Sequence, residues 1–269
     1  ALGWGVYEWR RLGRRWMAAL AGLTFLFALT ASVFARSEGA LVGIVVGVIV
    51  FALVYSRRCR WAGLGVLILV SAAVYFHPPA RDYVGEKATL SDLSGEIRKI
   101  QWVNTRDMLS ENNRWLLGAG LAQYQETIQP YRQPGFFYNK NDDPDFRRKI
   151  VLFDEKYKSQ FWQPIEIYLY PHNIFLNFWV ELGLLGMLLF TWIMIKYLYY
   201  GYRSLDGERR ELVLGLITAL VAIIIHGLVD VPYFKNDLAV QFWMLIALMS
   251  LAFYRERTNL YEYTNKDKA

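Results

Sequence analysis

Six stretches of the chain are apolar on every side: residues 17–34, 40–55, 61–76, 174–200, 212–234 and 238–253. A hydrocarbon core about 30 Å thick takes about 20 helical residues, with a working range of about 17–25. Three of the runs are slightly short, and their aromatic and arginine ends can reach into the interface. A helix on a soluble protein would show a polar stripe, and these show none. Six such runs buried in one soluble core would leave a 269-residue chain too little polar surface. The pattern predicts an all-α integral membrane protein, a polytopic bundle of about six transmembrane helices. Residues 77–171, between the third and fourth runs, read instead like ordinary soluble protein. Leu93, Ile97, Ile100 and Val103 recur there at helical spacing and predict a helix over 90–113. Gly118, Ala119 and Gly120 break the chain, and Gln133-Pro134-Gly135 and Asn141-Asp142-Asp143-Pro144 read as turns. Residues 145–160 fit a second, polar helix. A connection this long is a functional loop or a small domain.

Charge adds direction. The formal net charge is +6, from 30 Lys and Arg against 24 Asp and Glu. With the N-terminus in the cytoplasm, four successive basic groups fall inside: Arg10, Arg11, Arg14, Arg15; Arg57, Arg58, Arg60; Arg203, Arg209, Arg210; and Arg255, Arg257, Lys266, Lys268. The short outer turns keep only Arg36 and Lys235. This is the positive-inside arrangement, and the opposite orientation violates it at every inner segment. Between 81 and 166 the loop holds 13 Lys and Arg and 13 Asp and Glu, which cancel. The basic excess is therefore topological, and no nucleic-acid partner is expected. The expected division is three spans over 1–76, an extracytoplasmic loop over 77–171, three spans over 172–254 and a cytoplasmic tail over 255–269. A single cysteine, Cys59, leaves no intramolecular disulfide and no Cys-based metal cluster. The chain starts at Ala1, and its first apolar run has basic flanks rather than a cleavage site, so it reads as the C-terminal portion of a longer protein.

A few polar residues stand where physics makes them costly or reactive. His172 lies in Tyr170-Pro171-His172-Asn173, where the loop enters the fourth span. The unpaired N–H groups of a helix N-terminus disfavour imidazolium, which suits His172 to general-base work on a hydroxyl. The plainer alternative is a His that caps the helix and anchors it among headgroups. Glu181, nine residues on and followed by Gly183 and Gly186, puts a carboxylate inside a span; it is either functional or a structural hydrogen-bonding group. The two glycines permit close helix approach. Arg36, the exception to the charge rule, either binds phosphate bidentately or pairs with Glu38. Arg106, on the loop helix, reads by itself as a solvated charge. His226 and Asp230 share one helix face at i, i+4 and fit an interhelical polar network, since two ligands do not make a zinc site. Asp143-Pro144-Asp145 has the D-x-D spacing that some glycosyltransferases use for a divalent ion, but its surroundings fit a solvated turn.

Together these segments resemble the bacterial O-antigen ligase / O-antigen polymerase family. His172-Asn173-Ile174-Phe175-Leu176, then Glu181-Leu182-Gly183-Leu184-Leu185-Gly186 and Phe190, is similar to that family's H-N-x-x-L followed by E-x-G-x-x-G and an aromatic. Arg106 with Trp115-Leu116-Leu117-Gly118-Ala119-Gly120 is similar to its Arg followed by an apolar-Gly-x-Gly segment. Ala35-Arg36-Ser37-Glu38-Gly39-Ala40-Leu41 looks like its S-R-G-A-x-L turn, with Ala35 for Ser and with Ser37 and Glu38 inserted before the glycine. The resemblance covers roughly residues 30–253.

It implies a GT-C-like membrane fold of about ten to twelve spans in the whole protein, several of them N-terminal to this chain. It also implies an inverting glycosyltransferase of the bacterial cytoplasmic membrane. The donor would be a glycan on a polyprenyl diphosphate, and the acceptor a hydroxyl of a glycan, lipid or protein. His172 would be the base, with Arg36 and Arg106 stabilising the diphosphate without a metal or other cofactor. Asn173, Glu181, Gly118, Gly120, His226 and Asp230 would bind substrate or hold the site. The competing reading is a transporter or flippase of lipid-linked sugars, with Glu181, His226 and Asp230 as its intramembrane polar path. A third is a membrane scaffold whose outer loop binds a partner.

Overall fold

The structure, a computed structural model, describes residues 1–152, 155–232 and 236–266. Lys235 of an outer turn and Lys268 of the tail lie outside the described residues. Six helices are long and apolar enough to cross a membrane: Arg15–Phe34, Glu38–Tyr55, Arg57–Phe76, Ile174–Arg203, Arg210–Gly227 and Leu238–Arg255. The architecture is that of an all-α polytopic membrane protein. Its contacts divide the chain into two compact units.

Unit 1 comprises Ala1–Ala73, His172–Phe175 and Met187–Ala269. It opens with α1 (Leu2–Leu12), which the sequence marks only as a basic lead-in, and continues with α2 (Arg15–Phe34) and α3 (Glu38–Tyr55). Most of α4 (Arg57–Phe76) belongs here too, and none of its residues is buried. An apolar surface of that kind is what lipid requires. Helices in lipid gain little from apolar burial against each other, so close packing has to come from small residues. That is how α3 meets the helix Arg210–Gly227. A Cβ on Gly43 would stand 2.6 Å from the Ala222 carbonyl oxygen, and one on Gly47 would stand 3.0 Å from that of Thr218. Gly39, one turn earlier, lies against His226. Glycines at every fourth position thus form one antiparallel seam. Helix α1 closes on Arg210–Gly227 in the same way, with the Gly3 backbone against Gly215. Its buried Glu8 accepts from Trp4 Nε1 at 3.0 Å and faces Arg14 at 3.8 Å, while buried Glu211 faces Arg11 at 3.5 Å.

Unit 2 comprises Val74–Pro171 and Leu176–Gly186. Helix α5 (Pro78–Thr89) starts where the His77 side chain accepts the Ala80 N–H, with prolines in the first turn, where their missing N–H costs nothing. Helix α6 (Leu93–Ser110) is the helix expected over 90–113, capped by Asp92 on the Gly95 N–H. Two single-turn helices follow, α7 (Arg114–Leu117) and α8 (Tyr124–Thr127). Where one polar helix is expected over 145–160, the described residues form two short ones, α9 (Phe146–Leu152) and α10 (Glu155–Ser159). A two-stranded antiparallel ribbon, Gly135–Phe137 with Trp162–Pro164, is too short to give a sequence signal.

The core of unit 2 is Met108, Leu109, Tyr124, Ile128 and Val180. Inside it the Tyr124 hydroxyl and Thr105 Oγ1 share a hydrogen bond at 2.8 Å, and Thr105 donates to the Gln101 carbonyl at 2.7 Å. Burial pushes the Tyr124 phenol up to about 12, against the smaller opposing effect of its hydrogen bonds to Thr105 and Gln101.

The fourth span is helix α11 (Ile174–Arg203), and it is broken. Gly183 at φ 72 and ψ −177 interrupts it, in a region of backbone space that is essentially glycine-only. Helices α12 (Arg210–Gly227) and α13 (Asn236–Lys266) complete the chain, and α13 continues well past the end of its apolar run.

Candidate functional site

The N-termini of α3 and α11 and the C-terminus of α12 come together at one end of unit 1. His172 stands there in a left-handed conformation, φ 42. A non-glycine residue held so costs about 1–3 kcal/mol and persists only where its surroundings fix it. They do: Asn173 Nδ2 donates to the Leu228 carbonyl at 3.0 Å, just beyond α12. Ile174, fully buried, seats against Gly227, where an added Cβ would come within 2.7 Å of it. The backbone on the C-terminal side of His172 is thereby clamped to the end of α12.

The same helix end supplies an acid and a second imidazole. His226 Nε2 lies 3.6 Å from Asp230 Oδ2, and Asp230 Oδ1 accepts the Val231 N–H at 2.8 Å. Burial pushes the Asp230 carboxyl up, but the facing His226 imidazole, the Val231 N–H and the field of His172 together outweigh it. The carboxyl is held below the usual range. Asp230 is therefore a fixed negative charge whose field reaches both histidines. Gly39 makes room for this pair, since a Cβ there would stand 2.9 Å from His226 Cδ2. Arg36 sits three residues before Gly39 in the α2–α3 turn, itself at φ 50. No ion pair among the described residues involves Arg36.

Unit 2 carries the other candidates. Arg106 is exposed on α6 and grips the neighbouring Asp107 through both Nε and Nη2, at 3.1 and 2.9 Å. One turn earlier α6 holds the segment before His172: Gln101 Nε2 donates to the Tyr170 carbonyl at 3.0 Å and Trp102 Nε1 to that of Pro171 at 2.8 Å.

Gly118 and Glu181 belong to a single interlock, and Gly120 (φ 101) turns the chain beside it. The break at Gly183 takes the Val180 carbonyl out of the helical ladder, and Ala119 N–H donates to it instead. Trp179 Nε1 donates to the Trp115 carbonyl at 2.6 Å. Gly118 (φ 75) and Gly183 (φ 72) face each other's segments so closely that a Cβ on either would overlap backbone, Val180 in one case and Leu116 in the other. The Ala122 N–H donates to the Glu181 carboxylate. Gly183 therefore serves a backbone break rather than helix–helix approach, and the two glycine motifs of the sequence are the two halves of one contact.

The Asp143-Pro144-Asp145 segment is a closed turn. Lys149 and the Asp145 N–H take the two Asp143 carboxylate oxygens, and in that order they hold its carboxyl below the usual range. Asn139 brackets it with two further hydrogen bonds to the Asp143 backbone.

Sequence reasoning missed the glycine seam behind His226 and the polar anchors Gln101 and Trp102. The seam was visible as Gly39, Gly43 and Gly47, spaced by four in an apolar run. The anchors had no local signal, because their partners lie 69 residues away.

Residues 23–191, more than half of the chain, match the family model described as O-antigen ligase. The chain belongs to the O-antigen ligase family. No curated protein matches it. O-antigen ligases are membrane glycosyltransferases of the bacterial inner membrane. The matched segment holds Arg36, Arg106, Gly118, Gly120, His172, Asn173 and Glu181, whereas His226 and Asp230 lie beyond it.

Proposed function

We propose that this O-antigen ligase family member transfers a glycan from a polyprenyl-diphosphate carrier to an acceptor hydroxyl at the outer face of the inner membrane. Residues 77–171 would form the outer loop, and both ends of the chain would be cytoplasmic. The observation that carries the reading is the grouping of His172, His226, Asp230 and the Arg36 turn at one end of unit 1. In the proposed step His172 takes the hydroxyl proton as the oxygen attacks the anomeric carbon. The bond from that carbon to the diphosphate breaks, and the sugar inverts. Asp230 stabilises the imidazolium that forms, by the logic of a carboxylate behind a catalytic histidine. Negative charge grows on the leaving diphosphate, and a guanidinium is suited to receive it.

No ion pair among the described residues holds Arg36, and it takes the first such role. Arg106 takes the second by its motif, and it would exchange Asp107 for phosphate. Asn173 positions His172 through its clamp on Leu228. Glu181 and Gly118 shape the interlock, Gly120 the turn beside it, and none of them touches substrate. Membership in a glycosyltransferase family favours this reading over transport of lipid-linked sugars. Two arginines supply the charge that a divalent metal would otherwise contribute, so transfer is expected to persist in EDTA.

The test is transfer in vitro from a defined polyprenyl-diphosphate glycan to lipid, glycan and peptide acceptors, using protein in detergent or nanodiscs. His172→Gln should reduce turnover by at least about a hundredfold while membrane insertion and thermal midpoint stay unchanged. Full turnover in His172→Gln, or donor movement across the bilayer without transfer, would overturn the proposal.

A further inference from the structure

The other end of unit 1 carries a second polar site that the transfer reaction does not use. A cavity of about 930 Å³ lies where α3 and α11 end and α12 begins. Its lining includes five arginines, Arg60, Arg203, Arg209, Arg210 and Arg255, against two carboxylates, Asp206 and Glu208. Among the described residues none of these carboxylates closes an ion pair with any of these arginines. The residual charge is concentrated in a concavity, whereas a merely topological excess fringes the membrane ends of helices.

Two of the arginines are held in place from behind. Arg60 Nε donates to the Leu53 carbonyl at 2.8 Å, and Arg210 Nη2 donates to that of Val54 at 2.8 Å. These are terminal carbonyls of α3, which have no helical partner and attract cations. Each guanidinium therefore spends one donor on the scaffold and keeps the rest of its fork. Arg210 Nε is buried with no hydrogen-bond partner. A buried donor left unpaired costs about 1–3 kcal/mol. The first turn of α12 adds to the positive field, since its N-cap, Arg209, makes no side-chain cap.

We infer that this cavity binds a phosphate-bearing ligand, with two or more guanidinium forks on the phosphate oxygens. Arginine forks match phosphate geometry bidentately, and the cavity volume lies within the range of about 300–1,000 Å³ typical of small-molecule sites. One phosphate alone would leave most of the space unfilled, so the ligand carries a larger group, as an anionic lipid headgroup or a soluble diphosphate does. Basic pockets between spans take lipid headgroups by this chemistry.

The test is a thermal-unfolding titration of the full chain in detergent, read by tryptophan fluorescence. One arm adds phosphatidylglycerol in mixed micelles against phosphatidylcholine, and the other adds sodium pyrophosphate. A saturable rise in midpoint is expected in one arm, and which arm responds identifies the source as lipid or soluble. The double variant Arg203→Gln/Arg209→Gln should raise the half-saturating concentration at least tenfold. Arg57→Gln/Arg58→Gln, basic and exposed on α4 but outside the cavity lining, should not. If the double variant does not fold, Arg255→Gln, exposed on α13, replaces it with the same expectation. No response to either probe, or equal loss in the Arg57/Arg58 variant, overturns the site.

Discussion

The two units use glycine for opposite purposes. In unit 1, Gly39, Gly43 and Gly47 keep ordinary helical backbone, and what matters is the side chain they lack: α3 approaches α12 down to its carbonyls. In unit 2, Gly118 and Gly183 adopt a backbone that other residues avoid, and the missing side chain matters as much as the conformation. Helices in lipid cannot rely on burying apolar surface and gain from backbone proximity. Unit 2 has a conventional core around Met108 and Tyr124 and spends its special glycines on breaking a helix and re-pairing the freed carbonyl.

Gly183→Ala should be the most damaging change, because it combines forbidden backbone with overlap on Leu116. A loss of more than about 3 kcal/mol is expected, with hydrogen exchange rising first in unit 2. Gly43→Ala tests the seam alone: about 1–3 kcal/mol from overpacking, with the exchange appearing in α3 and α12. If both variants loosen the same unit, the contrast fails. Tyr124→Phe removes one buried hydrogen bond and should cost about 1 kcal/mol, confined to unit 2. It should also flatten the alkaline limb. A phenol raised to about 12 in the folded protein keeps full stability below its ordinary value, and stability falls as pH rises from there through about 12.

Asp230 gives the acid counterpart in unit 1. Its lowered folded value means that its contribution is complete above the ordinary carboxylate range and fades as pH falls through the folded value. A pH titration of stability should show that fade in the parent and not in Asp230→Asn. The smallest effects belong to helical glycines that meet nothing. Gly22→Ala and Gly65→Ala have open space and should stabilise by about 0.5–1 kcal/mol, which calibrates the seam variants.

The spans were legible because lipid imposes a length and an apolar composition that show in the sequence locally. The chemistry of His172, Glu181 and the Gly118-Ala119-Gly120 segment was legible as types and order, through resemblance. How they connect was not. Glu181 reads as an intramembrane charge, yet its partner is the Ala122 N–H, 59 residues upstream along a looping chain. Gly183 and Gly186 read as one packing pair, yet only backbone angles reveal that Gly183 ends a helix. The cavity of arginines was hidden by the charge rule itself: Arg203, Arg209 and Arg210 are explained by topology, so nothing in the sequence asks whether they also converge.

The left-handed backbone at His172 decides how that residue can be removed cleanly. Alanine would keep the strain and lose the ring, so a dead variant could be blamed on a shifted loop. Glycine accepts φ 42 without cost, so His172→Gly deletes the base while relaxing its neighbours. What remains is a vacancy the size of one imidazole within the field of Asp230. Free imidazole or a methylated analogue supplied in the buffer should restore part of the lost turnover, in proportion to the basicity of the added ring. Chemical complementation of that kind would report on the proton itself.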